Sequence, residues 1–169
     1  DLMNLRTIVC ALMLALPIAG CDSVDLDAVP QAKVGCETPT AEQLNAGDAM
    51  LPGRNCISCH ASGGQASGEA FGTAGTVYGA RSSKTCNTGG VDGVTVELLD
   101  TAGKVVASTT TNSVGNFHFP PSATNFKNVS ARVTKGTMSV KMNSAVDVSV
   151  GCASCHWASG IAGDRIYIQ

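Results

Sequence analysis

Short apolar runs bounded by turn-forming residues dominate the chain from residue 75 onward. Each run is rich in Val, Thr or Phe and is flanked by Gly, Asn, Pro or Asp, which is typical of β-strands separated by tight turns. The runs are "GTVYG", "GVTVELLD", "GKVVASTTT", "GNFHFP", "NVSARVTKG", "MSVKM" and "VDVSVG". Seven short strands at this spacing predict a mainly β fold of the β-sandwich class.

The alternation within two of these runs predicts which side chains face the core. In "GVTVELLD", Val94, Val96 and Leu98 lie on one face of the strand, and Thr95 and Glu97 lie on the other. In "GNFHFP" the same alternation puts Phe117 and Phe119 together and His118 on the opposite face. If the phenylalanines are in the core, His118 points outward.

The segments between and before the strands contain turn and helix signals. "LLDTAGKVV" predicts a hairpin. "TAEQLNAGDAM" predicts one short helix with Thr40 as N-cap, ended by "LPG". "ASGGQASGEAFG" is rich in Gly, Ser and Ala and has no apolar periodicity, so it predicts a connecting loop.

The beginning of the chain has the pattern of an export signal. In "MNLRTIVCALMLALPIAGC" one Arg precedes an apolar run from Thr7 to Pro17, which is too short to cross a bilayer. With translation beginning at Met3, "IAGC" resembles a bacterial lipobox. The resemblance implies that Cys21 is the mature N-terminus and carries a lipid; plain cleavage near Gly20 is the alternative. The polar "DSVDLDAVPQAK" that follows suits a tether.

Length and charge exclude several classes of protein. With 169 residues the chain has room for one domain of ordinary size and tails, so we do not expect a multi-domain enzyme. Lys and Arg number 11 against 13 Asp and Glu, so the net charge of −2 gives no basic surface for nucleic acid. We expect no nucleic-acid partner.

The strand region resembles a known sandwich family. "GTVYG" and "GVDGVTVELLDTAGKVVASTTTNSVGNFHFP" are similar to the carboxypeptidase-regulatory-like, transthyretin-like domains, in which a G-V-T-V-x-L strand, a D-x-x-G-K turn and a G-x-F-x-F strand recur. The resemblance implies a transthyretin-like or immunoglobulin-like β-sandwich. Such domains serve as scaffolds or binding modules, so the chemistry has to come from other residues.

That chemistry lies in a pentad, Cys-x-x-Cys-His, which occurs in "NCISCHASGG" and again in "GCASCHWASG". Two thiols at this spacing can form thioethers with both vinyl groups of a haem, and the adjacent imidazole can bind its iron. Both pentads resemble the attachment motif of c-type cytochromes. The resemblance implies two covalently attached haem c groups, held by two sets of residues: Cys56, Cys59 and His60, and Cys152, Cys155 and His156.

Two other readings of the pentads remain open at this point. The four cysteines could form a tetrathiolate zinc site, although this gives no reason for a histidine after each pair. Redox-active thiol pairs of the thioredoxin kind normally begin a helix in a βαβ setting, which the sequence lacks.

The other cysteines are assigned by position. Cys10 lies in the signal and Cys21 at the lipid site. Cys36 and Cys86 remain, and because an exported protein lies in an oxidising compartment, we expect them to form a disulfide. This bond would fix the N-terminal tether to the central domain. Two separate thiols are the alternative.

Each six-coordinate haem also needs a second axial ligand. His118 is the remaining histidine and, being predicted to point outward, is a candidate. The methionine candidates are Met50, Met138 and Met142, although most methionines fill cores. Trp157 follows the second pentad directly and is expected to pack on a haem edge.

Together these features predict an exported di-haem c-type cytochrome, an electron carrier rather than an enzyme. Its expected partners are redox proteins or an extracellular electron acceptor, and a membrane through the lipid on Cys21. One alternative is a surface filament or adhesive homo-oligomer with haem-linked subunits. The other is a di-haem peroxidase or reductase, which would need acid–base groups beside an open iron, where Arg54 and Asp164 are the nearest charged residues.

The sandwich would act as a rigid spacer, with one pentad before its first strand and the other after its last. The expected segments are a signal peptide (1–20), a lipoprotein tether with the short helix (21–48), a first haem-binding segment (49–70), the β-sandwich (71–150) and a second haem-binding segment (151–169).

Overall fold

The computed structural model of the chain describes residues 36–81, 83, 85–157 and 160–169. The expected signal peptide (1–20), with Cys10, and the expected lipid site at Cys21 lie outside the described residues. Over the described ranges, no helix combines the length and the apolar character needed to cross a membrane.

The described part of the chain is mainly β, as predicted, with short helices between the strands. The strands are β1 (Thr73–Tyr78), β2 (Thr95–Leu99), β3 (Val105–Thr110), β4 (Asn116–Phe119), β5 (Ser130–Lys135), β6 (Met138–Lys141) and β7 (Ile166–Tyr167). The α-helices are α1 (Ala41–Leu44) and α2 (Ile57–His60). Turns of 3-10 helix cover Gly47–Ala49, Ser67–Glu69, Pro121–Asn125, Val148–Val150 and Cys152–Ser154.

The strands form two sheets. One has three strands in the order β4-β1-β7, and the other has four in the order β3-β2-β5-β6. Every pair is antiparallel except β1 with β7, which is parallel. The central strand β1 is therefore bonded on one side to β4 and on the other to the strand that follows the second pentad.

Both sheets contribute side chains to one hydrophobic core. The predicted inward residues Val96 and Leu98 are each 1% exposed, and Phe117 and Phe119 are also buried. His118, between the two phenylalanines, is exposed. The strand phases inferred from alternation are thus confirmed.

The predicted hairpin joins β2 to β3. The Oδ1 atom of Asp100 accepts hydrogen bonds from the amides of Ala102 (3.0 Å) and Lys104 (2.9 Å). Gly103 has a φ of +81°, which favours glycine at this turn. The aspartate therefore fixes the turn that sets the register of the two strands.

The predicted helix is shorter than expected. Thr40 is its N-cap, and it forms a capping box with Gln43, as in many helix starts. The helix ends at Leu44, and a 3-10 turn follows from Gly47, whose φ is +57°. Asn45 and Gly47 have low helix propensity, so one continuous helix to residue 50 does not form.

The prediction that "VDVSVG" is the seventh strand is wrong. Val148–Val150 is a 3-10 turn, and Val146 makes only an isolated bridge. The residues cannot share one buried face, since Val148 meets the core while Val150 is 56% exposed. Gly151, with a φ of +75°, then turns the chain into the second pentad. That pentad consequently precedes the last strand, β7, instead of following it.

Cys36 and Cys86 form the predicted disulfide, with their Cα atoms 5.0 Å apart. Buried polar contacts surround it. The hydroxyl of Tyr78 donates to the carbonyl of Cys86 (2.8 Å), and the guanidinium of Arg165 lies 4.9 Å from the Tyr78 ring centroid. The guanidinium of Arg54 donates to the carbonyl of Glu37. The disulfide region therefore joins the chain just before the first pentad to the chain just after the second.

Candidate functional site

The two pentads share a set of backbone hydrogen bonds, although the first lies on α2 and the second on a 3-10 turn. The amide of His60 donates to the carbonyl of Cys56, and the amide of His156 donates to the carbonyl of Cys152, each at 2.9 Å. Further equivalent amide-to-carbonyl pairs are Ser58–Asn55 and Ser154–Gly151, Gly64–Ala61 and Gly160–Trp157, and Ala66–Cys59 and Ala162–Cys155. We call residues 55–67 the first pentad unit and residues 151–163 the second. The sequence repeat is thus also a structural repeat across their described residues.

A glycine four residues after each histidine is part of the repeat. A Cβ atom added at Gly64 would lie 2.3 Å from the carbonyl oxygen of Cys59, and one added at Gly160 would lie 2.3 Å from that of Cys155. Any side chain would therefore collide with the backbone of the helical turn. Both units need a glycine at this point to close the loop over the pentad.

The two histidines are held in the same way. Nδ1 of His60 lies 2.7 Å from the carbonyl oxygen of Glu69, and Nδ1 of His156 lies 3.1 Å from that of Asp164. Because a carbonyl can only accept, each Nδ1 donates the hydrogen bond, so in the neutral ring it is Nε2 that has the free lone pair. Histidines that bind metals are commonly oriented by such a bond. Burial also lowers the pKa of His156, which favours the neutral form that binds metals.

One strand positions both pentads. The first unit leads into β1 through Phe71, whose amide donates to the carbonyl of His60 (2.8 Å). The second unit packs directly on β1: a Cβ atom at Gly75 would lie 2.9 Å from the Cβ of Cys152, and Sγ of Cys152 is 3.9 Å from the hydroxyl of Thr73. The fold therefore brings together two motifs that are far apart in sequence.

The four pentad cysteines are thiols and are not joined in disulfides. The pKa of Cys56 is raised to about 12, chiefly by burial and to a smaller extent by the nearby Cys152 and Cys59, against a backbone hydrogen bond that lowers it. Burial also raises the pKa of Cys152 to about 11, against the hydrogen bond from Thr73, which lowers it. Catalytic thiol pairs of the thioredoxin kind have lowered pKa values, so these two thiols are unlike them.

Across the two pentads, Cys56 and Cys152 lie near each other. Among the residues that the structure describes, no group of three or more His, Cys, Asp or Glu side chains is arranged to hold a metal ion. In the first pentad the thiols and the imidazole lie along α2 and its N-cap Cys56, whereas in the second the 3-10 turn Cys152–Ser154 ends just before Cys155 and His156. The Cys-x-x-Cys-His spacing fits the covalent attachment of a haem, which needs separated thiols and an imidazole beside the second one.

The second pentad opens onto an apolar groove of about 600 Å³. Cys155 and His156 line it, together with Met142, Val140 and Ile161, and Ile161 is 87% exposed. Small-molecule and cofactor sites have volumes of roughly 300–1,000 Å³ and mostly apolar walls. The groove lies within this size range and is mostly apolar.

Near the first pentad, Phe71 lies between two histidines. Its ring centroid is 4.2 Å from that of His60 and 4.3 Å from that of His118, and the planes are 11° and 9° from parallel. His118 also lines a cavity of about 350 Å³ with Phe71 and Glu69. The structure brings His118 close to the first pentad, with an aromatic ring between the two imidazoles.

The three candidate methionines occupy different surroundings. Met142 lines the same groove as His156. Met138 is 40% exposed at the start of β6. Met50 precedes the first pentad, and its carbonyl accepts from the side-chain amide of Asn116 (2.9 Å). Met142 is the candidate that shares a cavity with a pentad histidine.

The charged residues nearest the pentads take part in structural contacts. Arg54 is 6% exposed and bonds to the carbonyl of Glu37. The carboxylate of Asp164 pairs with Nε of Arg81 at 2.7 Å. Trp157 is half-buried over its own loop, with Cδ1 2.8 Å from the Cβ position of Gly160.

Several of these positions were not predicted from the sequence. The carbonyl acceptors of Glu69 and Asp164 leave no side-chain signal. Phe71 follows a glycine-rich loop without any periodic pattern. The matched glycines, Gly64 and Gly160, were visible in the repeat, and their common spacing from the histidines is the signal that could have identified them.

Comparisons with protein-family models, with curated proteins and with solved structures give no match. Function is therefore inferred from the residues of the chain and their geometry. The two pentad units, with their held imidazoles and the groove beside the second, are its basis.

Proposed function

We propose that the chain is an exported di-haem c-type cytochrome that carries electrons in the periplasm or at the cell surface. Each bound haem supplies a one-electron redox centre, while the protein attaches, orients and shelters it. The cysteines would form the thioethers and the histidines would bind iron, in two equivalent sets: Cys56, Cys59 and His60, and Cys152, Cys155 and His156.

The observation that carries this proposal is the common setting of the two histidines. In both units Nδ1 is held by a backbone carbonyl on the loop that follows the pentad, at Glu69 and at Asp164. This bond selects the tautomer whose Nε2 can bind a metal and fixes the direction of the ring. Neither a tetrathiolate zinc site nor a thiol-exchange pair would need such a histidine after each pair of cysteines.

The β fold has a positioning role in this proposal. We place it in the transthyretin-like sandwich class, which is supported by two sheets sharing one core and by the turn at Asp100. β1 receives the first pentad unit at its start, packs against the second, and pairs with the strand after it. The fold would thus hold both haems against one rigid strand.

Electron transfer fits the surroundings of the pentads better than catalysis does. A peroxidase or reductase needs acid–base groups directed at the iron. Here Arg54 is buried in a bond to the backbone, and Asp164 is paired with Arg81. Haem-linked assembly into a filament would instead use axial ligands from a neighbouring chain. The exposed His118 could serve as such a ligand.

Export is supported by the disulfide between Cys36 and Cys86, because such bonds persist in oxidising compartments. We further propose that a lipid on Cys21 anchors the chain to a membrane, with the polar segment "DSVDLDAVPQAK" that follows it as a tether. Redox proteins or an extracellular acceptor would exchange electrons with the haems.

A reduced-minus-oxidised optical spectrum, combined with a pyridine haemochrome count, tests the proposal directly. Protein matured by a cytochrome c assembly system should show c-type haem at two per chain. Recovery of zinc in place of haem, or of protein without any bound chromophore, would show that the pentads have another function.

A further inference from the structure

The two pentad units touch each other. The side-chain amide of Asn55 donates to the hydroxyl of Ser154 at 3.3 Å. A Cβ atom added at Gly151 would lie 2.7 Å from Oδ1 of Asn55 and 2.8 Å from Cγ1 of Ile57. The buried backbone at Gly151 is therefore pressed directly against the first unit, with no space for a side chain between them.

The contact joins equivalent positions of the repeat. Asn55 and Gly151 each precede the first cysteine of their pentad, and these two residues meet. Contacts between equivalent residues are typical of surfaces related by a two-fold axis. The cysteines that follow, Cys56 and Cys152, consequently begin their helical turns side by side.

The contact is fixed on both sides by the core of the fold. Cys152 packs against β1 at Gly75 and belongs to the edge of the hydrophobic core. The first unit is tied to the start of β1 by the bond from Phe71 to His60. Groups supported on rigid elements keep their relative geometry better than groups on loops. The separation between the two attachment sites is therefore set by packing and does not depend on a linker.

We propose that the two haems form a coupled pair, held next to each other by the direct contact between the first and second pentad units. This inference rests on the proposed function, since it requires a haem at each pentad. An electron would pass from the reduced iron of one haem to the oxidised iron of the other, with no bond formed or broken. External redox proteins would provide and remove the electrons.

A coupled pair has a thermodynamic consequence. Adding an electron to one haem changes the charge beside the other, and in a protein interior this interaction is stronger than in water. The first electron therefore makes the second harder to add. The pair would accept its two electrons in separated steps even if the two haems were chemically alike.

Soret circular dichroism and a redox titration of the two-haem protein test the inference. We expect a couplet of opposite signs centred on the Soret band. We also expect the two midpoint potentials to lie further apart than those of two single-haem variants, Cys56→Ala with Cys59→Ala, and Cys152→Ala with Cys155→Ala. Two attached haems with a single-signed Soret band and no additional separation would overturn the inference and leave the proposed function intact. Absence of attached haem would overturn the proposed function itself.

A matched pair of glycine variants tests the same inference without removing a haem. The Cβ atom added in Gly151→Ala would collide with Asn55 and Ile57, whereas the Cβ atom added in Gly63→Ala has no other atom within 4 Å. Both glycines have a positive φ, of +75° and +81°, so the backbone strain of an alanine is present in both variants. With two haems still attached, the couplet should shrink in Gly151→Ala and persist in Gly63→Ala. An equal couplet in both variants would show that contact between the units does not set the haem pair.

Discussion

The ring of Phe71 is stacked on the ring of His60, with the centroids 4.2 Å apart and the planes 11° from parallel. His118 stacks on the other face of the same phenylalanine. An imidazole binds iron through the Nε2 lone pair in its own ring plane, whereas here both imidazoles present their faces to Phe71. We therefore expect haem attachment at the first pentad to displace both Phe71 and His118 from the stack, so that Nε2 of His118 turns towards the iron as the second axial ligand.

The first prediction concerns His118. His118→Ala should convert one haem to a high-spin form, or to one that binds added imidazole, while the other haem is unchanged. Phe71→Ala is the matched variant: it removes the intervening ring but leaves both imidazoles, so the low-spin spectrum should persist. Optical spectra and midpoint potentials of His118→Ala identical to those of the wild type would show that His118 is only a surface residue.

The second prediction concerns the second haem. Met142 lines the groove beside His156, and a thioether ligand raises the reduction potential relative to imidazole. Met142→Ala should therefore lower one midpoint potential, and the two haems of the wild type should titrate apart. Met138→Ala, at an exposed methionine of β6, is the control and should leave both potentials in place. If both variants titrate like the wild type, the sixth ligand comes from another residue.

The third prediction concerns the scaffold. Val96 is 1% exposed, so Val96→Asp would bury an unpaired charge and should cost several kcal/mol of unfolding free energy. Glu97, on the opposite face, pairs with Arg132 at 2.7 Å, so a lysine there would face another cation. Glu97→Gln, which removes the charge without introducing a second cation, is therefore the control. It should cost about 1 kcal/mol or less of unfolding free energy. Similar losses in urea unfolding of the two variants would mean that the strand faces are wrongly assigned.

The fourth prediction is a pH dependence. Burial raises the pKa of Tyr78 to about 12, against the influence of Arg165, which lowers it. The folded state thus favours the neutral phenol. The resulting stability is present below pH of about 10, the ordinary tyrosine pKa, and is lost as pH rises toward about 12. From the size of the shift the loss is about 2–3 kcal/mol.

Urea unfolding at about pH 8 and about pH 11 measures roughly half of this loss, about 1.4 kcal/mol, because the folded phenol is still mostly neutral at the higher pH. Tyr78→Phe should be less stable at the lower pH by about 1 kcal/mol, because the hydrogen bond to the carbonyl of Cys86 is absent. Its stability should fall less between the two pH values than that of the wild type. Tyr167→Phe, at a half-buried tyrosine of β7, is the control. A decline in Tyr78→Phe as steep as in the wild type would assign the alkaline loss to other groups.

Local pattern was sufficient to predict much of the fold. The faces of β2 and β4, the turn at Asp100 and the cap at Thr40 depend on near neighbours in sequence, and each was predicted. The disulfide was also identified, since Cys36 and Cys86 remained after the other cysteines had been assigned. These features need no knowledge of how distant segments meet.

The errors and omissions have a different physical origin. "VDVSVG" has the composition of a strand, but the place beside β1 is taken by Ile166–Tyr167 through a parallel pairing that the sequence does not reveal. The contact between Asn55 and Ser154 joins residues that only the folded sheet brings together. The acceptors for the two imidazoles are backbone carbonyls, which every residue has. Tertiary contact, and not local preference, decides all three.

The central claim is that both pentads carry covalently bound haem, and the intact mass of the unfolded protein tests it most directly. Protein matured by a cytochrome c assembly system should have the mass of the polypeptide plus two haems, and the variant with Cys152→Ala and Cys155→Ala should retain one. A polypeptide mass without added haem, or one haem on the wild type, would contradict the account.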